Sequence, residues 1–409
     1  MKVVHIATTD GGGAGKGLLN LHEALLSLGV ESNILVAQKT TQLGSVVCMK
    51  PNHNLYQWSN NRIIRKVQKI MRRRGKWLTM VEQWDKEIEK ASLNHHSLCF
   101  TSPFSNYDIS QHPLVSEADI IHLHWVGNFL DYPTFFTKVN KPIVWTLRDE
   151  NPGLGGFHYT SDKKECNEYY AHIENAFLEE KRKALLLNDN IKLIALSEAM
   201  KTFCSSVDFL KNKETVKIYN PINVELFSAI EKNIARKVLN LDNNALVLSF
   251  VSVSIKDHRK GIKQLVDAIK LLNYPIKLLC VGINDYFVDS HPDITCYGPL
   301  ENAQLLSLIY SASDFFVTPS RQESFGKTTI EAMLCGTPVI STATGIAPEI
   351  INEESGFIIN SIEPEEIALA IREVSKRNYD RLKIREKAQH LFDPIQIAQQ
   401  HINLYDSLL

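Results

Sequence analysis

Phe315-Phe316-Val317-Thr318-Pro319-Ser320-Arg321-Gln322-Glu323-Ser324-Phe325-Gly326-Lys327-Thr328-Thr329-Ile330-Glu331 is the stretch on which the reading of this chain turns. Its first four residues read as an apolar strand, Pro319 to Gln322 as a turn, and the residues from near Lys327 as a helix. A strand, a turn with a glycine and a helix start place free backbone N–H groups beside a carboxylate. Such groups, with the helix dipole, can hold an anionic phosphate. A carboxylate accepts hydrogen bonds from sugar hydroxyls. Glu323 and Glu331 together therefore suit the sugar and phosphate parts of a nucleotide-sugar. The plainer alternative is one exposed turn acid and one solvated helix acid.

Ala332-Met333-Leu334-Cys335-Gly336-Thr337-Pro338-Val339-Ile340-Ser341 completes the helix, supplies a glycine C-cap and begins a new strand, as helix-stop signals require. The stretch from Ser324 to Ser341 closely resembles the donor-binding signature of the retaining glycosyltransferases of family 4, which have the GT-B fold. The resemblance implies that Glu323 contacts the transferred sugar and Glu331 the nucleotide ribose. It runs more weakly along nearly the whole chain.

With 409 residues the chain is too long for one core, so two or three domains are expected. A hydrophobic content of 44% and a charged content of 22% are those of an ordinary globular protein. The net charge of −1 gives no general attraction to nucleic acid. No apolar run is long enough for a transmembrane helix. Met1-Lys2-Val3-Val4-His5-Ile6-Ala7 is too short and too soon glycine-rich for a signal peptide. Seven scattered cysteines without a Cys-x-x-Cys pair read as reduced, mostly core thiols. A cytoplasmic location without a zinc site is therefore expected.

Short apolar strands alternating with helices indicate parallel sheets covered on both faces. Strands are expected at 3–7, 33–37, 119–125, 142–147, 193–196 and 216–219. Asn220-Pro221-Ile222-Asn223 breaks the pattern, which then repeats with strands at 246–253, 277–281, 295–297, 315–318, 339–341 and 357–359. Helices are expected near 15–28, 260–272, 301–312, 327–335 and 364–376. Asp393-Pro394 reads as an N-cap with proline at the first helical position, opening a last helix. The expected fold is α/β: a first Rossmann-like domain at 1–219, joined by the helix 393–409, and a second at 220–392. The resemblance implies that the final helix crosses back to the first domain. Two doubly wound domains facing each other would hold the ligand in the cleft, at the carboxyl ends of the strands.

Gly11-Gly12-Gly13-Ala14-Gly15-Lys16-Gly17 follows the first strand. Asp10 and Gly17 rule out a P-loop, and the glycine spacing rules out the dinucleotide fingerprint. The loop remains one whose backbone, at Gly12 and Gly13, a ligand can approach closely. His258-Arg259-Lys260-Gly261 supplies two cations, Arg259 and Lys260, that suit a diphosphate leaving group. Phe325, Gly326 and Lys327 complete the donor-binding candidates. Thr146-Leu147-Arg148-Asp149 departs from the family, which usually has Thr-Leu-His-Asp with the histidine reaching the donor sugar. Arg148 either takes over a binding role, marks a different site, or marks an impaired enzyme. His124 and His158 are further candidates to line a cleft, each with a structural role as the alternative.

Residues 62–76 carry Arg62, Arg65, Lys66, Lys69, Arg72, Arg73, Arg74 and Lys76, interleaved with Ile63, Ile64, Val67, Ile70 and Met71. That is a basic amphipathic helix, packed on its own domain, docked on an anionic membrane or, as the weaker third option in a neutral chain, bound to nucleic acid.

What the resemblance implies is a retaining transfer from a UDP- or GDP-linked sugar to a glycan or lipid-linked glycan hydroxyl, in bacterial envelope or capsule polysaccharide assembly. The enzyme would work peripherally at the inner membrane face. No Asp-x-Asp occurs in the sequence, so metal-independent catalysis with Glu323, Arg148 and His124 as catalytic candidates is expected. A nucleotide-sugar epimerase, a sugar-phosphate synthase, or an impaired binding subunit are the alternatives. The donor base, its sugar and the acceptor are not readable from the residues.

Overall fold

A computed structural model describes residues 1–52, 61–73, 78–92, 99–283, 293–300 and 302–409. Two compact units emerge. One comprises Met1–Ala195, Met200–Ile218 and Ala398–Leu409; the other comprises Leu196–Ala199 and Tyr219–Ile397. Leu196–Ala199 is drawn to the second unit by its polar contacts. Ser197 Oγ donates to the Ser324 carbonyl at 3.3 Å, and the Glu198 amide donates to Glu349 Oε1 at 2.7 Å.

The first unit is a parallel sheet of β1 (Lys2–Thr9), β2 (Glu31–Gln38), β3 (Val46–Cys48), β4 (Ile120–Leu123), β5 (Ile143–Leu147), β6 (Ile191–Ala195) and β7 (Thr215–Lys217). The strand order is β3-β2-β1-β4-β5-β6-β7, reversing direction at β1. β4 and β5 are buried along their whole length, which is why they read as continuous apolar runs rather than as alternation. The core gathers Ile6, Ile121, Leu123, Phe129, Phe136 and Trp145.

The second unit repeats the plan with β8 (Leu246–Ser254), β9 (Ile276–Ile283), β10 (Ile294–Cys296), β11 (Phe315–Thr318), β12 (Val339–Thr342) and β13 (Gly356–Ile359). Its order is β10-β9-β8-β11-β12-β13, with all described pairings parallel. The reversal falls at β8 and β11, whose carboxyl ends carry Lys260 and Glu323 respectively.

Several boundaries differ from the sequence expectation. The first helix begins three residues earlier, at Gly12, whose φ of +67° turns the chain from extended Gly11 into the helix. His258–Lys260 forms a short 3-10 turn, and the helix proper starts at Ile262 after left-handed Gly261. Helix Ala303–Ala312 begins late; Glu301 of the expected span lies outside the described residues. Helix Glu168–Leu186 was missed entirely. The last helix, Pro394–Asp406, runs from the second unit into the first. No helix among the described residues is long and apolar enough to cross a membrane.

The first sheet buries an unusual set of polar groups on one face. His5 on β1 stands beside His122 on β4 in the parallel register. His122 bonds Tyr405 of the last helix at 2.7 Å and Thr146 at 2.8 Å. Burial, reinforced by neighbouring histidines and Arg148, holds His5, His122 and His124 well below the ordinary histidine value. His22, bonded to Ser32 and Ser45, is pushed down to about 4 by burial.

A pH dependence follows from these neutral rings. Each stays neutral in the fold but takes up a proton near pH 6.5 once unfolded, so stability falls as pH drops below 6.5. The expected slope is about 1.4 kcal/mol per pH unit per histidine. All 5 tryptophans precede residue 150, so their fluorescence reports on this unit. Its urea midpoint should fall steeply between pH 6.5 and 5, where carboxylates scarcely titrate; a flat midpoint would contradict the account.

Candidate active site

Glu323 sits in the turn after β11, and Lys260 in the turn after β8. Gly261 brings them together. Its φ is +72°, and a Cβ there would meet the Pro319 carbonyl oxygen at 2.2 Å, so only glycine lets the two loops touch. The Arg321 amide donates to the Arg259 carbonyl at 2.7 Å, tying the same loops. The result is an ion pair between Lys260 Nζ and Glu323 Oε1 at 2.5 Å. Ser320 Oγ donates to the same oxygen at 2.8 Å, and the Ser320 carbonyl accepts from Thr342 Oγ1 at 2.5 Å.

Glu331 lies one helix further on. Gly326 is the N-cap of helix Lys327–Leu334 with φ +92°, and no side chain caps it. A Cβ at Gly326 would meet nothing closer than Thr329 Oγ1 at 3.8 Å, so the approach to the helix start is open. Glu331 is buried, with Lys327 Nζ at 2.9 Å from Oε1 and the Tyr310 hydroxyl at 3.2 Å from Oε2. Each carboxylate of the motif thus has one lysine partner, beside an open helix N-terminus. Such a set can bind an anion at the helix start and hydroxyls at the carboxylates.

Two donor-site expectations are placed differently. Phe325 is buried among Ile330, Met333 and Phe392, so its ring is core and only its carbonyl, bonded to the Ile346 amide at 2.9 Å, faces the loop. Arg259 turns back onto Asp257, through Nε at 3.1 Å and Nη2 at 2.8 Å.

In the first unit the glycine loop opens helix Gly12–Ser27. Gly12 and Gly13 are exposed with nothing near their Cβ positions, whereas a Cβ on Gly15 would strike the Asp10 carbonyl oxygen at 2.3 Å. Asp10 is buried and accepts four hydrogen bonds, from the amides and hydroxyls of Thr40 and Thr41. Burial alone would raise its carboxyl; those bonds outweigh it and hold it below the ordinary value.

Arg148 follows β5, and its Nη2 lies 2.9 Å from His124 Nδ1. Burial pushes the guanidinium down to about 9, still charged at neutral pH. A guanidinium only donates, so His124 Nδ1 must be the acceptor and its Nε2 carries the proton. That proton faces His5 Nδ1 at 2.9 Å. His124 is therefore buried behind Arg148 with both ring nitrogens engaged, which corrects the expectation that it reaches a substrate. The same tautomer argument counts against a metal at the His5–His122–His124 cluster, whose ring nitrogens lie within 4.8 Å of one another: a protonated Nε2 offers no lone pair.

His158, the other candidate, is also buried. It bonds Asp149 at 2.6 Å and Thr101 at 3.0 Å, and Trp125 Nε1 donates to the same Asp149 oxygen at 2.7 Å. Burial would depress His158, but the Asp149 charge overrides it and lifts the ring to about 9. Glu174 supports this loop by accepting from the Gly155 and Gly156 amides at 2.8 and 2.6 Å.

Sequence reasoning missed Tyr310, Ser320, Asp10 and Glu174. Lys327–Glu331 was readable as an i, i+4 pair; Tyr310 offered no signal, because it is 21 residues from Glu331 and meets it only through packing.

Residues 231–391 match the family glycosyl transferases group 1. That match lies within the second unit. The capsular polysaccharide biosynthesis glycosyltransferase CapM of Staphylococcus aureus is 28% identical over 53% of this chain and 62% of its own length. Two solved structures align across the chain. Sucrose-phosphate synthase from Thermosynechococcus elongatus has a TM-score of 0.68 at 20% identity, covering 100% of this chain and 99% of its own. HepE from Anabaena, solved with UDP-glucose, has a TM-score of 0.63 at 17% identity and covers 100% of both chains. The fold is GT-B, built from two Rossmann-like units.

Loss of the Gly261 approach should separate the loops. Gly261→Ala is expected to disrupt the Lys260–Glu323 pair and cost about 1–3 kcal/mol of stability. An unchanged unfolding midpoint in urea would show that the loops tolerate the extra carbon.

Proposed function

We propose that the protein is a retaining glycosyltransferase of family 4 that transfers a sugar from a nucleoside diphosphate sugar to a glycan or lipid-linked glycan hydroxyl. The single observation that carries this is the pair of lysine-matched carboxylates, Glu323 and Glu331, flanking the open helix start at Gly326 in a group 1 domain. The bond from the sugar C1 to the diphosphate oxygen breaks, the bond from C1 to the acceptor oxygen forms, and the acceptor hydroxyl proton passes to the departing diphosphate oxygen. Glu323 holds the transferred sugar, Glu331 the ribose, and Lys260 and Lys327 neutralise the departing diphosphate with the helix N-terminus. In the first unit, Gly12, Gly13 and Arg148 are assigned to anionic parts of the substrates. The likeness to CapM supports a place in capsule or envelope polysaccharide assembly, and the HepE complex supports UDP as the donor nucleotide. The proposed chemistry uses no metal or cofactor, consistent with the absence of Asp-x-Asp in the sequence.

Glu323→Gln should lower turnover about 100-fold or more while preserving the fold. Lys260→Ala should raise the donor Kd and slow chemistry together, since the charge it meets grows in the transition state. Activity within twofold of wild type in either variant would refute that residue's role. EDTA should leave turnover intact; loss restored by magnesium or manganese would refute the metal-free reading. Arg148→Ala should impair activity more than Arg148→His, which keeps a donor; full activity in both would make Arg148 structural.

Helix Arg62–Arg73 supports membrane docking. Ile63, Ile64, Val67, Ile70 and Met71 are all exposed, and Arg62, Arg65, Lys66, Lys69 and Arg72 are exposed around them. Arg74 and Lys76, part of the expected run, lie outside the described residues. An anionic lipid surface covers such a face at about 1 kcal/mol per cation. Replacing Arg65, Lys66 and Lys69 with glutamine should reduce sedimentation with phosphatidylglycerol vesicles and leave donor binding unchanged. Equal sedimentation of variant and wild type would mean that the helix is solvated.

A further inference from the structure

We infer that Tyr310 is a positioning residue for nucleotide recognition: its hydroxyl fixes the Glu331 carboxylate in the orientation that reads the ribose diol. This rests on the assignment of Glu331 to the ribose.

Tyr310, on helix Ala303–Ala312, is fully buried. Its ring meets Phe316 edge-on, with centroids 5.5 Å apart, and its carbonyl accepts from Thr337 Oγ1 at 2.7 Å. The hydroxyl is thereby aimed at Glu331 Oε2, 3.2 Å away. Burial first, and then the Glu331 charge, push the phenol well above its ordinary value, so it remains a donor.

The two partners of Glu331 differ in freedom. Tyr310 is fully buried in the core of the second unit, its ring against Phe316. Lys327 is 24% exposed at its side chain and stands on the first turn of its helix. An arriving diol can displace the lysine from Oε1 without disturbing the phenol on Oε2. One carboxylate oxygen is then tethered and the other exchangeable, and a tethered acceptor loses less orientational freedom on binding. A phenylalanine at 310 keeps the ring's packing and removes only the tether.

Calorimetric titration of the full chain with UDP and GDP, each beside its 2′,3′-dideoxy counterpart, tests this. Wild type should favour one ribonucleotide over its dideoxy form by about tenfold or more. Tyr310→Phe should weaken the ribonucleotide about fivefold and change the dideoxy form less than about twofold. The double variant Tyr310→Phe/Glu331→Gln should bind no worse than Glu331→Gln alone. Equal weakening of both ligands, unchanged discrimination, or a fold lost with the single oxygen would each make Tyr310 structural and overturn the inference. Glu331→Gln separates the two levels. If it keeps full discrimination, or wild type binds neither ribonucleotide, the ribose assignment itself falls, and the inference with it. If Glu331→Gln loses discrimination and Tyr310→Phe keeps it, only the role of Tyr310 falls.

Discussion

The candidate site depends on one close approach, that of Gly261 to the carbonyl of Pro319. The two residues come from turns after β8 and β11, which are neighbours in the sheet although more than fifty residues separate them in sequence. A parallel sheet brings all its carboxyl-end turns to one edge, but it does not by itself bring side chains into bonding distance. That requires two turns to touch along their backbones, and a Cβ at Gly261 would forbid it. Once they touch, Lys260 reaches Glu323 and Ser320 supplies the second bond. The positive φ of Gly261 costs little in glycine and would be strained in any other residue.

The first unit meets its buried polar groups in a different way. His5, His122 and His124 stay neutral, and the protons of His124 and His5 are set from the sheet's edge inward. Arg148 can only donate, so it dictates the tautomer of His124, and His124 in turn dictates that of His5. The buried His5 Nε2 that ends this series makes no hydrogen bond among the described residues. An unsatisfied buried donor costs about 1–3 kcal/mol, so the arrangement is retained against a local cost. The sidedness is informative. The charged end, Arg148, lies at the carboxyl edge of the strands, where ligands of open α/β sheets bind, and the uncompensated end lies deep in the sheet.

The parallel sheets were legible because their central strands are buried on both faces and so spell uninterrupted apolar runs. β5 was found within a residue of its limits for that reason. Helix Glu168–Leu186 was not legible. It buries Glu174 and Lys181 to hold the loop of Asn151 and Gly155–Phe157, so charged residues occupy positions where helical periodicity expects apolar ones. Within the site, Glu323, Glu331 and Lys260 stood out by spacing and residue type. Their bonding did not, because Lys260–Glu323 depends on loop contact and Tyr310–Glu331 on side-chain packing. His124 misled for a related reason: a residue at the end of a parallel strand faces the ligand edge only if nothing covers it there, and Arg148, just past the end of the neighbouring strand, bonds its ring.

The lysine matched to each motif carboxylate has a consequence for recognition. Under the proposed function, a carboxylate that receives a sugar hydroxyl must not be left unpaired in a partly buried setting, since desolvated charge is expensive. Lys260 and Lys327 compensate that charge before any ligand arrives, and both remain partly exposed, 26% and 24% at the side chain. A neutral sugar alone would have to displace a lysine from its carboxylate and would offer it no anion in exchange. A ligand that carries hydroxyls and a diphosphate together offers the displaced lysines an anion while its hydroxyls take over the carboxylates. The exchange conserves the number of charge-assisted bonds only for such a composite ligand. Selectivity for a nucleotide-linked sugar over either part alone can therefore arise from the ion pairs themselves, without further contacts to the sugar ring or the base.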